Sequence, residues 1–426
     1  MELVLQYAVS KKSIREIVET QLKFYFPEIE YIRFYEKQII IECSNSVDGE
    51  AIEVEIEKII NKFEKLPNIP QKVFFDSEKN SINELGISLD DFKNFHSSAE
   101  KFLEFLSSSF KNNSSVTLPY LEKQVIKVRK GLNIYKDNTA LIFHALDVFF
   151  REYYSLEFEA YELKVPSMIS SEVVDQAGYF ETGCQHISFV SPISNESDKF
   201  EKFLPAWKES GNKNSIHKFL KEPKDVLTPA LCLHCYPLME NQVISPNQIV
   251  SFTIHGSCFR DESGNLNNEE RLNEFTMREA VFIGDPEILK TIRVKLEKFT
   301  ILLGSWFGFK FRLEAANDIF FDENARLQLF SQLASSSKIE FSVYSSTINK
   351  YMASGSINSH QNHFSKRFAI KDSELNYSSS MCIGFGFNRL VLALSESIED
   401  ELPTFIQHLN EKLLELNSFL SKESIK

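Results

Sequence analysis

Two arginine-bearing segments hold the residues whose types and spacing could do chemistry. In the first, Phe259-Arg260-Asp261-Glu262 leads into a polar loop rich in Gly and Asn, and then into Arg271-Leu272-Asn273-Glu274-Phe275-Thr276-Met277-Arg278-Glu279. Ile254 before the loop and Val281-Phe282-Ile283 after it predict antiparallel strands joined as a hairpin. Guanidinium groups offer planar paired donors to phosphate oxygens, a carboxylate accepts from an adenine amino group, and a phenyl ring lies flat on a base. Arg260, Glu262, Arg271 and Phe275 therefore suit a nucleoside triphosphate, whereas an Arg-x-Glu alone would be no more than a surface ion pair.

The second segment is Met381-Cys382-Ile383-Gly384-Phe385-Gly386-Phe387-Asn388-Arg389-Leu390. It predicts an apolar strand that turns through two glycines into an amphipathic helix with Arg389 in its first turn. Backbone N–H groups, the positive helix end and a guanidinium would then meet at one anion site. A dinucleotide-binding fingerprint does not fit, because Asn388 and Arg389 stand where the third-glycine region belongs. The sequence also has no Gly-Lys-Ser/Thr phosphate loop.

Together these segments resemble the class II aminoacyl-tRNA synthetase catalytic core, with Phe259 to Glu279 similar to its motif 2 and Gly384 to Arg389 to its motif 3. Val165-Pro166-Ser167 and Gly178-Tyr179-Phe180 fall where motif 1 would supply a helix and strand for a dimer interface. The resemblance runs from Asn133 to Leu394. It implies an α+β fold, an antiparallel β-sheet flanked by helices, in a homodimer. It also implies that Arg260 and Arg389 act in catalysis, Arg260 at the α-phosphate and Arg271 with Arg389 at the distal phosphates. Glu262 and Phe275 would hold the adenine, with Leu272 packed beside the nucleotide. Lys338 and the loop Ala353-Ser354-Gly355-Ser356 complete the implied ATP contacts. Mg²⁺ would accompany ATP, with Glu340 or another acid as its ligand.

The cysteines narrow the resemblance. In Thr228-Pro229-Ala230-Leu231-Cys232-Leu233-His234-Cys235, in Glu279 and in Cys382, the chain is similar to the atypical, zinc-dependent seryl-tRNA synthetases and to their shortened relatives, the amino acid:carrier protein ligases. That likeness implies a Zn²⁺ on Cys232, Glu279 and Cys382, contributed by three strands of one sheet, with an open position for the substrate amino group. Glu279 would thus also face the amino acid, and Cys235 is the substitute thiol. Without a second Cys-x-x-Cys, a zinc knuckle at Cys232 to Cys235 lacks partners. Cys43, Cys184 and Cys258 read as ordinary unpaired cysteines, and His360 and His363 as solvated residues of a polar turn.

Composition sets the remaining bounds. The 426 residues are 43% apolar and 25% charged, with a net charge of −13, the balance of a globular protein long enough for two domains. There is no apolar run of membrane-spanning length, the first residues do not read as a signal peptide, and six cysteines suit a reducing compartment, so a cytoplasmic location is expected. No basic stripe of the kind that binds tRNA stands out, and the first 115 residues are themselves acidic.

Residues 1–115 read as an accessory α+β domain of ferredoxin-like type with a connector that is helical over Asp90 to Phe110; residues 116–426 read as the catalytic domain. The leading functional expectation is ATP-dependent activation of a small amino acid, followed by transfer to the phosphopantetheine thiol of an acyl or peptidyl carrier protein. The alternatives are a seryl-tRNA synthetase that charges tRNA, and a non-catalytic paralogue that binds a partner.

Overall fold

The computed structural model describes residues 2–7, 9, 11–45, 47–63, 71–109, 125–210, 213–316, 332, 335–397 and 402–423. The expected start of the catalytic domain, at residue 116, lies outside them. Among the described residues no helix is long and apolar enough to cross a membrane.

The N-terminal unit builds its own core from two periodicities. In the helix Lys12–Tyr25, Ile14, Ile17, Val18, Gln21 and Leu22 are buried. In Gly49–Phe63 the buried set is Ile52, Ile56, Ile59 and Phe63, again the spacing of one helical face. Ile39, Ile41 and Cys43 alternate inward from the central strand of a three-stranded antiparallel sheet, flanked by Glu2–Leu5 and Ile29–Phe34.

A fourth strand of the ferredoxin type is not in this sheet. Val73–Asp76 instead pairs with Phe311–Ala315 at the edge of the large sheet. The helix Leu89–Ser109, expected as a connector, buries Phe92, Phe95, Phe102 and Leu106 in the large core. Among the described residues, the first 115 therefore do not share one core: the N-terminal cluster reaches as far as Phe63, and Phe75 and the helix Leu89–Ser109 pack into the large core.

The large sheet has eight strands in the spatial order Val73–Asp76, Phe311–Ala315, Lys338–Ser345, Lys350–Gln361, Ser379–Gly386, Glu274–Gly284, Ile249–Phe259, Tyr161–Leu163. All neighbours are antiparallel except the last pair, which is parallel. Its two faces differ. Ala280, Phe282, Met381, Ile383 and Phe385 enter an aromatic core with the helices Leu89–Ser109, Asp137–Phe158, Pro286–Trp306, Phe387–Ser397 and Leu402–Glu423. Phe275, Met277, Val281, Ile283 and Cys382 lie on the opposite face, over the segment that holds Cys232 and Cys235. Asp285 caps the helix Pro286–Trp306 as its sequence predicts, accepting from the N–H of Glu287 at 2.8 Å and of Ile288 at 3.3 Å.

One charged group interrupts the apolar side. Arg278 is fully buried. Its Nε donates to Asp147 of the helix Asp137–Phe158 at 2.9 Å, and its Nη1 donates to Glu162 of the edge strand at 2.7 Å and to Thr253 Oγ1 at 3.2 Å. Three elements are thus tied to the centre of the sheet through one guanidinium, whose planar fork suits several acceptors at once. Arg278→Met would leave two carboxylates without their partner, and we predict a loss of about 3 kcal/mol, read as a lower urea midpoint. A midpoint equal to wild type would mean that packing alone holds these elements.

Candidate active site

The predicted hairpin is present. Ile249–Phe259 and Glu274–Gly284 pair over their whole lengths, from Ile249 opposite Gly284 to Phe259 opposite Glu274. Arg260 leaves the first strand with its N–H donated to Asn273 O at 3.0 Å and its Nε to Pro229 O at 3.0 Å. Its guanidinium carbon stands 5.4 Å from the centre of the Phe275 ring, so ring and cation already form a stacked wall. Arg271 Nη1 donates to Glu262 at 2.7 Å. Burial works to raise the Glu262 carboxyl, but Arg271, His186 and Arg260 together outweigh it and hold the group below its usual range. Leu272 is buried between these polar neighbours in the sequence.

Arg389 comes from the other segment to the same place. Its Nε donates to Glu270 O at 2.8 Å and its Nη1 to Ala353 O. Burial, followed by the charge of Arg271, works against its protonated form. Two guanidiniums close enough to oppose each other make a site that an anion would relieve. Gly384 and Gly386 do not form the expected turn: both lie within the strand Ser379–Gly386, and the helix starts directly at Phe387. The need at Gly384 is space, since a Cβ there would stand 3.0 Å from Met277 Cε and 3.2 Å from Glu279 Cγ.

Ala353 to Ser356 is not a loop either. These residues lie inside the strand Lys350–Gln361, with Gly355 opposite Phe385 and Ser356 opposite Gly384. On the next strand Lys338 pairs with Glu340 at 3.0 Å. Glu340 stands opposite both Ser356 and Glu314. Burial pushes the Glu314 carboxyl up, and the nearby Glu340 adds to the effect.

Cys232, Glu279 and Cys382 meet on the opposite face from the aromatic core. Cys232 is not on a strand, as expected, but in the 3₁₀ turn Leu231–His234, and the backbone of that turn grips Glu279. The N–H of Cys232 donates to Oε2 at 2.9 Å and that of Leu231 to Oε1 at 3.4 Å. Burial and then the Cys382 sulfur push the Glu279 carboxyl up to about 7. The two thiols hydrogen-bond each other: Cys382 is held well below the usual thiol range, while Cys232 is driven well above it.

His360 and Asn358 were missed by sequence reasoning. Instead of being solvated, His360 places Nε2 3.3 Å from Cys382 Sγ, and Asn358 Nδ2 lies 3.7 Å from the same sulfur. Ser356, Asn358 and His360 recur at period two in one strand, the pattern that would have put them on one face. His363, by contrast, is exposed as expected, with Nε2 3.1 Å from Ala177 O. Asn388 was also passed over. It accepts from Thr276 N–H at 2.7 Å and donates to Tyr135 Oη at 2.9 Å, so it pins the second segment to the first.

Two thiols and a carboxylate are the donor types that zinc takes. Among the described residues, however, no group of three or more His, Cys, Asp and Glu side chains is gathered closely enough to hold a metal ion. The donors touch in pairs, with Glu279 directed to backbone N–H groups.

Comparison with known proteins gives the site its context. Residues 220–398 match the tRNA synthetase class II core domain (G, H, P, S and T). The type-2 serine–tRNA ligase of Methanopyrus kandleri is 26% identical over 279 residues, 62% of this chain and 53% of that protein. Amino acid–[acyl-carrier-protein] ligase 1 of Bradyrhizobium diazoefficiens is 25% identical over 233 residues, 54% of this chain and 70% of that protein. The chain spans about half the length of the serine–tRNA ligases it matches. In fold it is similar to M. kandleri SerRS, solved in complex with A. aeolicus tRNASec, with a TM-score of 0.61 at 19% identity over 96% of this chain and 77% of that one. Motifs and sheet agree with the core-domain match: residues 220–398 carry a class II tRNA synthetase core domain.

Proposed function

We propose that this protein activates a small amino acid with ATP. The observation that carries the reading is the gathering of Arg260, Arg271 and Arg389 around Glu262 and Phe275, on the sheet that also presents Cys232, Glu279 and Cys382. A carboxylate oxygen of the amino acid attacks the α-phosphorus of ATP, the bond from that phosphorus to the bridging oxygen breaks, and pyrophosphate leaves with the electron pair. The product is an aminoacyl-adenylate.

Arg260 holds the α-phosphate, Arg271 and Arg389 the departing pyrophosphate, and Glu262 with Phe275 the adenine; Arg271 exchanges its hydrogen bond to Glu262 for phosphate oxygens. Lys338 and the segment Ala353 to Ser356 line the nucleotide beside Leu272. The rate then comes from positioning and from charge placed in advance where the transition state needs it. Glu340, with Glu314 across the strands, would supply carboxylate for the Mg²⁺ that class II synthetases use with ATP.

If Glu279 turned from the N–H groups of Leu231 and Cys232 toward the two thiols, Zn²⁺ on Cys232, Glu279 and Cys382 would supply a Lewis acid for the neutral amino group. These side chains would border the amino acid, with Asn358 and His360 beside Cys382. In the second half-reaction the leading acceptor is the phosphopantetheine thiol of a carrier protein, whose attack on the acyl carbon releases AMP. The net charge of −13 favours it over a polyanionic tRNA. Serine–tRNA ligases among the relatives, matched over 62% of this chain, support transfer to tRNA as the second reading.

Amino-acid-dependent ATP–pyrophosphate exchange is expected with Gly, Ala or Ser, followed by label transfer to phosphopantetheinylated carrier protein. Label on tRNA alone would select the second reading, and no exchange with any amino acid would remove both. Arg389→Ala is predicted to slow exchange by about 10²-fold or more while the far-UV spectrum stays that of wild type; unchanged exchange would take Arg389 out of the phosphate site. Cys232→Ser is predicted to lose bound zinc by elemental analysis together with exchange, and full exchange by metal-free protein would end the zinc assignment.

A further inference from the structure

The helix Lys12–Tyr25 of the N-terminal unit ends against the tip of the loop that carries Glu262 and Arg271. The last turn of a helix leaves carbonyl groups without helical partners. Here loop side chains reach that end: Ser263 Oγ donates to Phe24 O at 3.0 Å and Asn265 Nδ2 to Thr20 O at 3.0 Å. Between them Gly264 is pressed so close that a Cβ would stand 2.1 Å from Lys23 O and 2.8 Å from Pro27 Cα. Only a residue without a side chain fits. Ser263 adopts a left-handed φ of 46°, and its N–H donates to Asp261 Oδ1 at 2.8 Å, which sets the turn.

The other flank of the loop is held as well. Asn273 N–H donates to Gly131 O at 2.9 Å, and Asn268 Nδ2 to Asn133 Oδ1 at 2.7 Å. Asn267 Oδ1 accepts from the N–H groups of Glu269, Glu270 and Arg271 at 2.8 to 3.0 Å. A fourteen-residue polar loop would otherwise sample many conformations. It is clamped from two sides, one of them built by a unit with a separate core. Glu19 of the same helix, paired with Lys23 at 2.8 Å, also contributes to the field at Arg271.

We propose that Gly264 is a positioning residue for the nucleotide: by seating the loop on the helix Lys12–Tyr25 it fixes Glu262 and Arg271 in the geometry that receives ATP, so the N-terminal unit completes the ATP site. This rests on the nucleotide reading above. Gly264→Ala forces loop and helix apart, and Asn265→Ala removes one hydrogen bond without adding bulk.

The test uses the full chain and two measurements: direct titration with a non-hydrolysable ATP analogue, and separate Michaelis constants for ATP and amino acid in pyrophosphate exchange. Gly264→Ala is expected to weaken nucleotide binding by about tenfold and Asn265→Ala by about threefold, with the amino acid constant and the thermal midpoint of Asn265→Ala close to wild type. If Gly264→Ala does not fold, Asn265→Ala carries the test. Wild-type nucleotide affinity in a folded variant overturns the positioning role alone. No nucleotide binding by the wild-type chain overturns both this role and the proposed activity.

Discussion

Side chains on a strand alternate, so a strand that feeds a core with one face has only the other to offer a ligand. The four long central strands obey this constraint, and the arrangement of the molecule depends on it. In Glu274–Gly284, Arg278, Ala280 and Phe282 face the helices, while Phe275, Met277 and Glu279 face the site. The antiparallel register then sets which residues meet. Glu279 lies opposite Gly384, and the missing Cβ there leaves room for its carboxylate; Cys382 lies opposite Asn358 on its other neighbour. A one-residue slip would send the site residues into the aromatic core.

The core on the far side keeps that register rigid. Phe149 and Tyr153 stack on Phe299 with ring centres 5.9 and 3.9 Å apart, and Phe150 lies 4.7 Å from Phe385 of the strand that carries Cys382. Arg278 adds a directional tie within this apolar layer. Its ion pairs with Asp147 and Glu162 join a helix and the edge strand to the strand that ends in the site. Such a group costs desolvation energy, so its place is better explained by the alignment that its several bonds enforce than by net stability.

Arg260, Glu262, Arg271 and Arg389 are loop and helix-end groups, and their positions come from bracing rather than from the sheet. Asn388 bonds the second segment to the first, and backbone carbonyls of Glu270 and Ala353 orient Arg389. The N-terminal helix and the hairpin of Val125–Arg129 with Leu132–Tyr135 hold the loop between Arg260 and Asn273. Charges that oppose each other, Arg271 and Arg389, are thereby kept within reach of one anion. Free side chains would separate them.

Local order along the chain was enough to mark the local elements and to nominate residues for the site. Alternation marked the hairpin and the strand before Arg389, because this signal depends only on neighbours in the chain. Arg260, Glu262, Arg271, Phe275 and Arg389 could be nominated from sequence because their residue types limit what they can bind. Tertiary structure decided what depends on distant pairing. It moved Val73–Asp76 and the helix Leu89–Ser109 out of the N-terminal unit, placed Ala353 to Ser356 in a strand, and put Cys232 in a turn. It also brought His360 to Cys382 and Gly264 onto the helix end. No local pattern encodes these contacts, since each needs segments from 22 to more than 200 residues apart to meet.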